Sequence, residues 1–236
     1  MEEKKVMIDV KNLTRKYIVG REEIYALNDM SFQIKKGEFA VILGPSGSGK
    51  STLLNLLGGM DLATAGKITV DGEEITSFGN KELNMYRRKM VGFVFQFYNL
   101  LPNLTAKENV NMAMRIANGK KKSDALEKVG LKHRENHFPS ELSGGEQQRV
   151  SIARAIAKEP KIMLCDEPTG ALDSETGKIV LKTLWDTCKS NNQTTIIVTH
   201  NSFIAEAADR VIHIKDGKVK NVDINSNPKL IEEVVW

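Results

Sequence analysis

Residues 44–52 read Gly-Pro-Ser-Gly-Ser-Gly-Lys-Ser-Thr, and this stretch limits the possible folds more than any other part of the chain. Gly44, Gly49, Lys50 and Ser51 satisfy G-x-x-x-x-G-K-[ST], the pattern of a phosphate-cradling loop. The apolar run Phe39-Ala-Val-Ile-Leu43 before it has the texture of a buried parallel strand. Leu53, Leu54, Leu56 and Leu57 after it have the spacing of a helix that buries one face. The glycines thus fall on a strand-to-helix turn, where they let backbone N–H groups converge on an anion. The following helix turns the positive end of its dipole the same way. Lys50 is placed to reach β- and γ-phosphates, and Ser51 to ligate Mg²⁺. The loop as a whole (Gly44, Pro45, Ser46, Gly47, Ser48, Gly49, Lys50, Ser51 and Thr52) is expected to hold a nucleoside triphosphate.

The remaining motifs decide which chemistry uses that loop. Lys161-Ile-Met-Leu-Cys-Asp166 is an apolar strand ending in a carboxylate, followed at once by Glu167. This arrangement suits Asp166 to a metal, partly through its water, and Glu167 to an attacking water. Leu142-Ser-Gly-Gly-Glu-Gln-Gln-Arg149 opens with Ser143 and Glu146 in the S-x-x-E capping spacing, and Gly144 and Gly145 expose N–H groups there. A helix start of that kind is a second anion site.

A net charge of +4 is too small and too scattered to argue for nucleic acid, and the Lys120-Lys121-Lys122 run reads as a solvated loop. With 236 residues, 41% hydrophobic and 27% charged, the chain fits one globular domain of α/β type, or one domain with a smaller lobe. Cys165 and Cys188, the two cysteines, lack metal-ligand spacing, and Cys165 reads as an inert buried thiol in a reducing compartment. No secretory signal is read at the N-terminus, and the uncharged stretch between Lys89 and Lys107 is broken by Gln96, Asn99, Pro102 and Asn103. A membrane role would therefore need another chain to cross the bilayer. His133, His137 and His213 read as structural or surface residues.

Strands are expected at Val6 to Val10, Ala26 to Ile34, Ile162 to Asp166 and Thr194 to Thr199, with hairpins at Asp71-Gly72 and Asp216-Gly217. Helices are expected from Thr105, where Glu108 completes a capping box, about Ser123 to Val129, from Ser143 and after Ser174. The divisions are 1–80 (β subdomain and phosphate loop), 81–90 (connection), 91–96 (core strand and glutamine loop), 97–141 (helical subdomain), 142–222 (second half of the core) and 223–236 (a tail).

Taken in order, the phosphate loop, Gln96, Leu142–Gln148, Asp166-Glu167, Ala171-Leu-Asp173 and His200 resemble the motifs of the ABC ATPases over residues 6–220. The resemblance implies a P-loop NTPase, RecA-like core with an antiparallel β subdomain and an inserted helical subdomain. It also implies two subunits enclosing two ATP molecules head to tail. Ser143, Gly144, Gly145, Glu146 and Asp173 would then meet the nucleotide held by the partner's loop. Tyr17 matches the aromatic that stacks on adenine. Glu167, His200, Lys50 and Gln96 match the catalytic set, and Ser51, Gln96 and Asp166 the Mg²⁺ site.

Stretches such as Leu53-Leu-Asn-Leu-Leu-Gly58 and Asn99-Leu-Leu-Pro-Asn-Leu-Thr105 resemble the LolD/MacB subgroup. That subgroup serves lipoprotein release and macrolide or antimicrobial-peptide export. The implied partners are a separate integral membrane permease and a second ATPase subunit, identical or homologous, at the cytoplasmic face of the membrane. A cell-division ATPase of FtsE type is the alternative. A soluble DNA or ribosome ATPase is disfavoured, because 93 residues separate Lys50 from Ser143 and the chain holds one cassette.

Overall fold

The computed structural model describes residues 5–118 and 124–234. The Lys120-Lys121-Lys122 run and Ser123, where a helix was expected to begin, lie outside the described residues. Two sheets organise the rest. The first is antiparallel, in the order β2 (Glu22–Lys35), β1 (Val6–Val19), β4 (Ala65–Val70), β5 (Glu73–Glu74). Asp71 and Gly72 both take positive φ between β4 and β5, the conformation that a two-residue hairpin of primed type needs.

The second sheet runs β10 (Lys218–Ile224), β9 (Arg210–Lys215), β3 (Phe39–Leu43), β8 (Thr194–Thr199), β7 (Ile162–Asp166), β6 (Val91–Val94). All neighbours in it are parallel except the β9–β10 hairpin. Its strands alternate between two cores. Phe39, Val41, Leu43, Met163, Cys165 and Ile197 pack into one. Ala40, Ile42, Ile162, Leu164, Ile196 and Val198 pack into the other. Near-continuous apolar sequence is what a strand buried on both faces requires.

The helix α1 (Lys50–Leu57) and the antiparallel sheet fill the second core. The first core takes residues of α3 (Ala106–Asn118), α4 (Ala125–Lys128), α5 (Gly144–Ile156) and α6 (Ser174–Asn191). Of these helices, α3, α4 and α5 lie between β6 and β7 in the chain. The expected connection at 81–90 is itself largely helical, as α2 (Asn80–Lys89). Within residues 223–234 the chain is docked: Ile231 and Val234 are buried, and Lys182 of α6 pairs with Glu232. No helix among the described residues is long and apolar enough to cross a membrane.

Candidate nucleotide site

Four neighbouring parallel strands deliver the site. The phosphate loop follows β3, His200 follows β8, Asp166 ends β7 with Glu167 next to it, and Gln96 lies two residues past β6. The crevice beyond the carboxyl ends of parallel strands is where open α/β sheets bind ligands. Here Gly47, Lys50, Gln96, Asp166, Glu167 and His200 line one cavity of about 680 Å³, together with Ser46, Gly49, Ser51 and Thr52 of the loop.

The loop folds as its sequence demands. Gly49 caps α1 at φ 97°, and a Cβ there would lie 2.3 Å from the Ala26 carbonyl oxygen, so only glycine lets the loop close against β2. The Lys50 ammonium donates to the carbonyls of Gly44 and Pro45 at 2.8 and 2.9 Å. Ser48 Oγ beneath the loop is buried without a hydrogen-bond partner, a polar atom the loop's own contacts leave over.

Across the cavity floor, Ser51 Oγ donates to Asp166 Oδ1 at 3.2 Å. Burial holds the Asp166 carboxyl above the usual aspartate range, with neighbouring Glu167 adding to the shift; the Ser51 hydrogen bond and Lys50 act the other way. Among the described residues no three His, Cys, Asp or Glu side chains form a metal cage. That suits Mg²⁺, which takes one or two protein oxygens and leans on substrate phosphates for the rest. The donor set therefore fits a Mg²⁺–nucleotide: Ser51 and Asp166 for the metal, and the glycine cradle with Lys50 for the phosphates.

Glu167 is the most constrained residue of the group. Its backbone takes φ 43°, uncommon outside glycine and asparagine, and its N–H donates to the Val198 carbonyl at 3.0 Å. Thr199 Oγ1 donates to Glu167 Oε2 at 3.0 Å, and His200 Nδ1 faces Oε1 at 3.0 Å. Thr199 has no place in the sequence reading, although it stands directly before His200.

The other expected residues lie outside this cavity. Ser143 caps α5 with both capping-box bonds made: Glu146 N donates to Ser143 Oγ, and Ser143 N donates to Glu146 Oε2. Asp173 caps α6, accepting from Thr176 N and Oγ1 at 2.9 and 2.7 Å. Gly144, Gly145 and Glu146 belong to this second cluster. Tyr17 stands on β1 beside the cavity rather than in its lining, where its cross-strand partner Ile24 and Tyr25 appear. Its hydroxyl donates to Asp61 at 2.8 Å, and the Arg15 guanidinium, itself paired with Asp61, covers one ring face at 4.5 Å. Arg15 and Asp61 give no local sign in the sequence, being 46 residues apart.

Comparison with known proteins agrees with this geometry. Residues 27–170 match the ABC transporter family model. A Mycoplasma pneumoniae protein named for ABC transporter ATP binding is 44% identical over 98% of this chain and 50% of its own length. The chain thus spans about half of that relative, and likewise half of a Mycoplasma genitalium one. An uncharacterised ABC transporter ATP-binding protein of Methanocaldococcus jannaschii, MJ0796, is 44% identical over 91% of this chain and 95% of its own. A solved dimer of the MJ0796 cassette in a post-hydrolysis state, bound to ADP and Pi, superposes with a TM-score of 0.87. That match is 41% identical and covers 92% of this chain and 98% of the other. The chain belongs to the ABC transporter family. Its fold is that of an ABC transporter ATP-binding cassette, and the donor set above fits a nucleotide held with Mg²⁺.

Proposed function

We propose that this chain is the motor subunit of an export or efflux system of LolD/MacB type, dimerising around two ATP molecules and driving a separate membrane permease. The observation that carries the reading is the division of the site. Lys50, Ser51, Gln96, Asp166, Glu167 and His200 share one cavity, while Ser143 and Gly145 present a second anion-binding helix start outside it. A second copy turned about a two-fold axis supplies the missing half to each cavity. The archaeal cassette solved as a dimer with ADP and Pi supports the same assembly.

Within each completed site the residues divide the work. Mg²⁺ bound with ATP would supply positive charge at the phosphates. Ser51 and Asp166 would hold that metal, with Gln96 lining the same cavity from the loop after β6. Lys50 offsets phosphate charge from the loop side. Glu167, fixed by Thr199 and His200, orients a water and takes its proton. His200 steadies that carboxylate and faces the phosphate side. Tyr17, held by Asp61 and Arg15, offers its free face to the base.

The permease reading rests on the surface beside Gln96. Phe97 is 76% exposed, and Leu101, Met112 and Ile116 are exposed on the following loop and α3. Exposed apolar side chains grouped along one segment mark an interaction surface, which supports a position against a permease at the cytoplasmic face of the membrane.

Replacing Glu167 with Gln tests the core of the proposal. The variant is expected to bind ATP, to lose turnover by about 100-fold or more, and to accumulate as an ATP-dependent dimer in sedimentation. Hydrolysis near the wild-type rate would remove Glu167 from its role.

A further inference from the structure

The loop that carries Gln96 is held in an unfavourable backbone by a residue of a different element. Tyr98 and Asn99 follow one another at φ 38° and 50°, both left-handed and neither glycine. Such a conformation is strained for residues that carry a Cβ, somewhat less so for asparagine. Arg154, in the last turn of α5, donates from Nη2 to the Tyr98 carbonyl at 2.8 Å and from Nη1 to the Asn99 carbonyl. Its guanidinium is largely desolvated, and burial lowers its pKa below the ordinary arginine value; Nη2 also reaches Ser151 Oγ at 3.4 Å.

The same helix grips the loop at two more points. Gln148, 1% exposed, donates from Nε2 to the Phe95 carbonyl at 3.3 Å and to the Pro168 carbonyl at 2.9 Å. One amide thereby ties the residue before Gln96 to the residue after Glu167. Tyr98 lies over the first residue of α5: a Cβ on Gly144 would come within 2.8 Å of the Tyr98 hydroxyl.

We infer that Arg154 is a positioning residue that fastens the Gln96 loop to α5, so that movement of the Ser143–Gly145 helix start is registered at Gln96 of the same chain. The inference rests on the ATPase reading above and adds a route to it. Arginine suits the task because its planar fork meets two carbonyls at once, which a lysine ammonium on a flexible stem does not hold as rigidly. The loop is poised for such control, since its left-handed turn persists only while α5 holds it.

The full-length Arg154→Gln variant tests this beside the wild type. ATP affinity measured by calorimetry without Mg²⁺ is expected to stay within about twofold, because the phosphate loop is untouched. The Mg²⁺ concentration for half-maximal hydrolysis should rise and kcat fall, each by about tenfold, as expected for a displaced metal-site group. Adding Asn99→Gly should recover most of both losses, because glycine adopts the left-handed turn without Arg154. Arg154→Gln with wild-type Mg²⁺ dependence overturns the inference. So does a variant that loses ATP affinity and thermal stability and is not rescued by Asn99→Gly, since that marks a purely structural arginine. Failure of the wild type to hydrolyse ATP would instead strike the ATPase reading itself.

Discussion

Gly145 has no room for a methyl group, and the reason lies in a neighbouring motif. A Cβ there would sit 2.4 Å from Thr176 Cγ2. Thr176 cannot rotate freely, because Asp173 holds both its N–H and its hydroxyl. Gly145→Ala gains at most about 1 kcal/mol in helix propensity. The overlap costs roughly 1–3 kcal/mol, so the net effect is destabilising. Denaturant unfolding should show that loss, and Thr176→Ser, which removes Cγ2 and keeps the hydroxyl, should recover most of it in the Gly145→Ala background. At this scale the sequence is legible where chemistry and chain position coincide: Lys50, Ser51, Asp166 and Glu167 are read from their own motifs. Arg15, Asp61 and Arg154 act as partners across the fold. Their contacts exist only once distant segments are packed, so no local pattern announces them.

Among the elements, α5 does most to join the parts, and its far end carries a titration. Lys158, just beyond α5, donates to the carbonyls of Arg87 and Val91 at 2.9 and 2.6 Å. Desolvation, with Arg154 nearby, lowers its pKa from the ordinary lysine value to about 8. The folded state therefore binds fewer protons at this site than the unfolded chain between about pH 8 and 10.5. Its contribution to stability rises with pH across that window, and the full cost of burying the charge applies below it. Urea midpoints for wild type and Lys158→Met between pH 7 and 10.5 should show the difference moving in favour of the wild type as pH rises. Lys158→Met removes the two hydrogen bonds at every pH, so the slope is the informative quantity. A flat difference would count against the burial argument.

Elements with strong signals stand where the sequence puts them, including β7, β8, the capped starts of α3 and α5, and both hairpins. The start of α2 had no such signal. Leu83 and Tyr86 are its only buried residues, too few for an apolar stripe, and its last turn is Arg87, Arg88, Lys89. Likewise β1 continues through Asn12 at φ 50°, with register shifts on either side of Leu13, so bulges carry the strand past Val10, where the sequence pattern ends it.

For the whole molecule, what matters in the proposed reading is that one chain presents two complementary halves that do not meet within it. A closed two-fold dimer satisfies both halves of both copies, whereas a single copy satisfies neither. This arrangement makes a complementation experiment decisive. Lys50→Ala removes the phosphate grip of a chain but leaves its Ser143 helix start intact. Ser143→Arg blocks that helix start but leaves the phosphate loop intact. Each variant alone builds only defective sites. In a mixed dimer one site carries both defects, and the other joins an intact loop to an intact helix start. Random pairing makes half the dimers mixed, each with one sound site of two, so mixing equal amounts should restore about a quarter of wild-type ATPase activity if sites act independently. Coupling between the sites through Arg154 would pull the recovered rate below that quarter while leaving it above the sum of the separate variants. A mixture no more active than its components would mean that the two halves do not complete each other across a dimer.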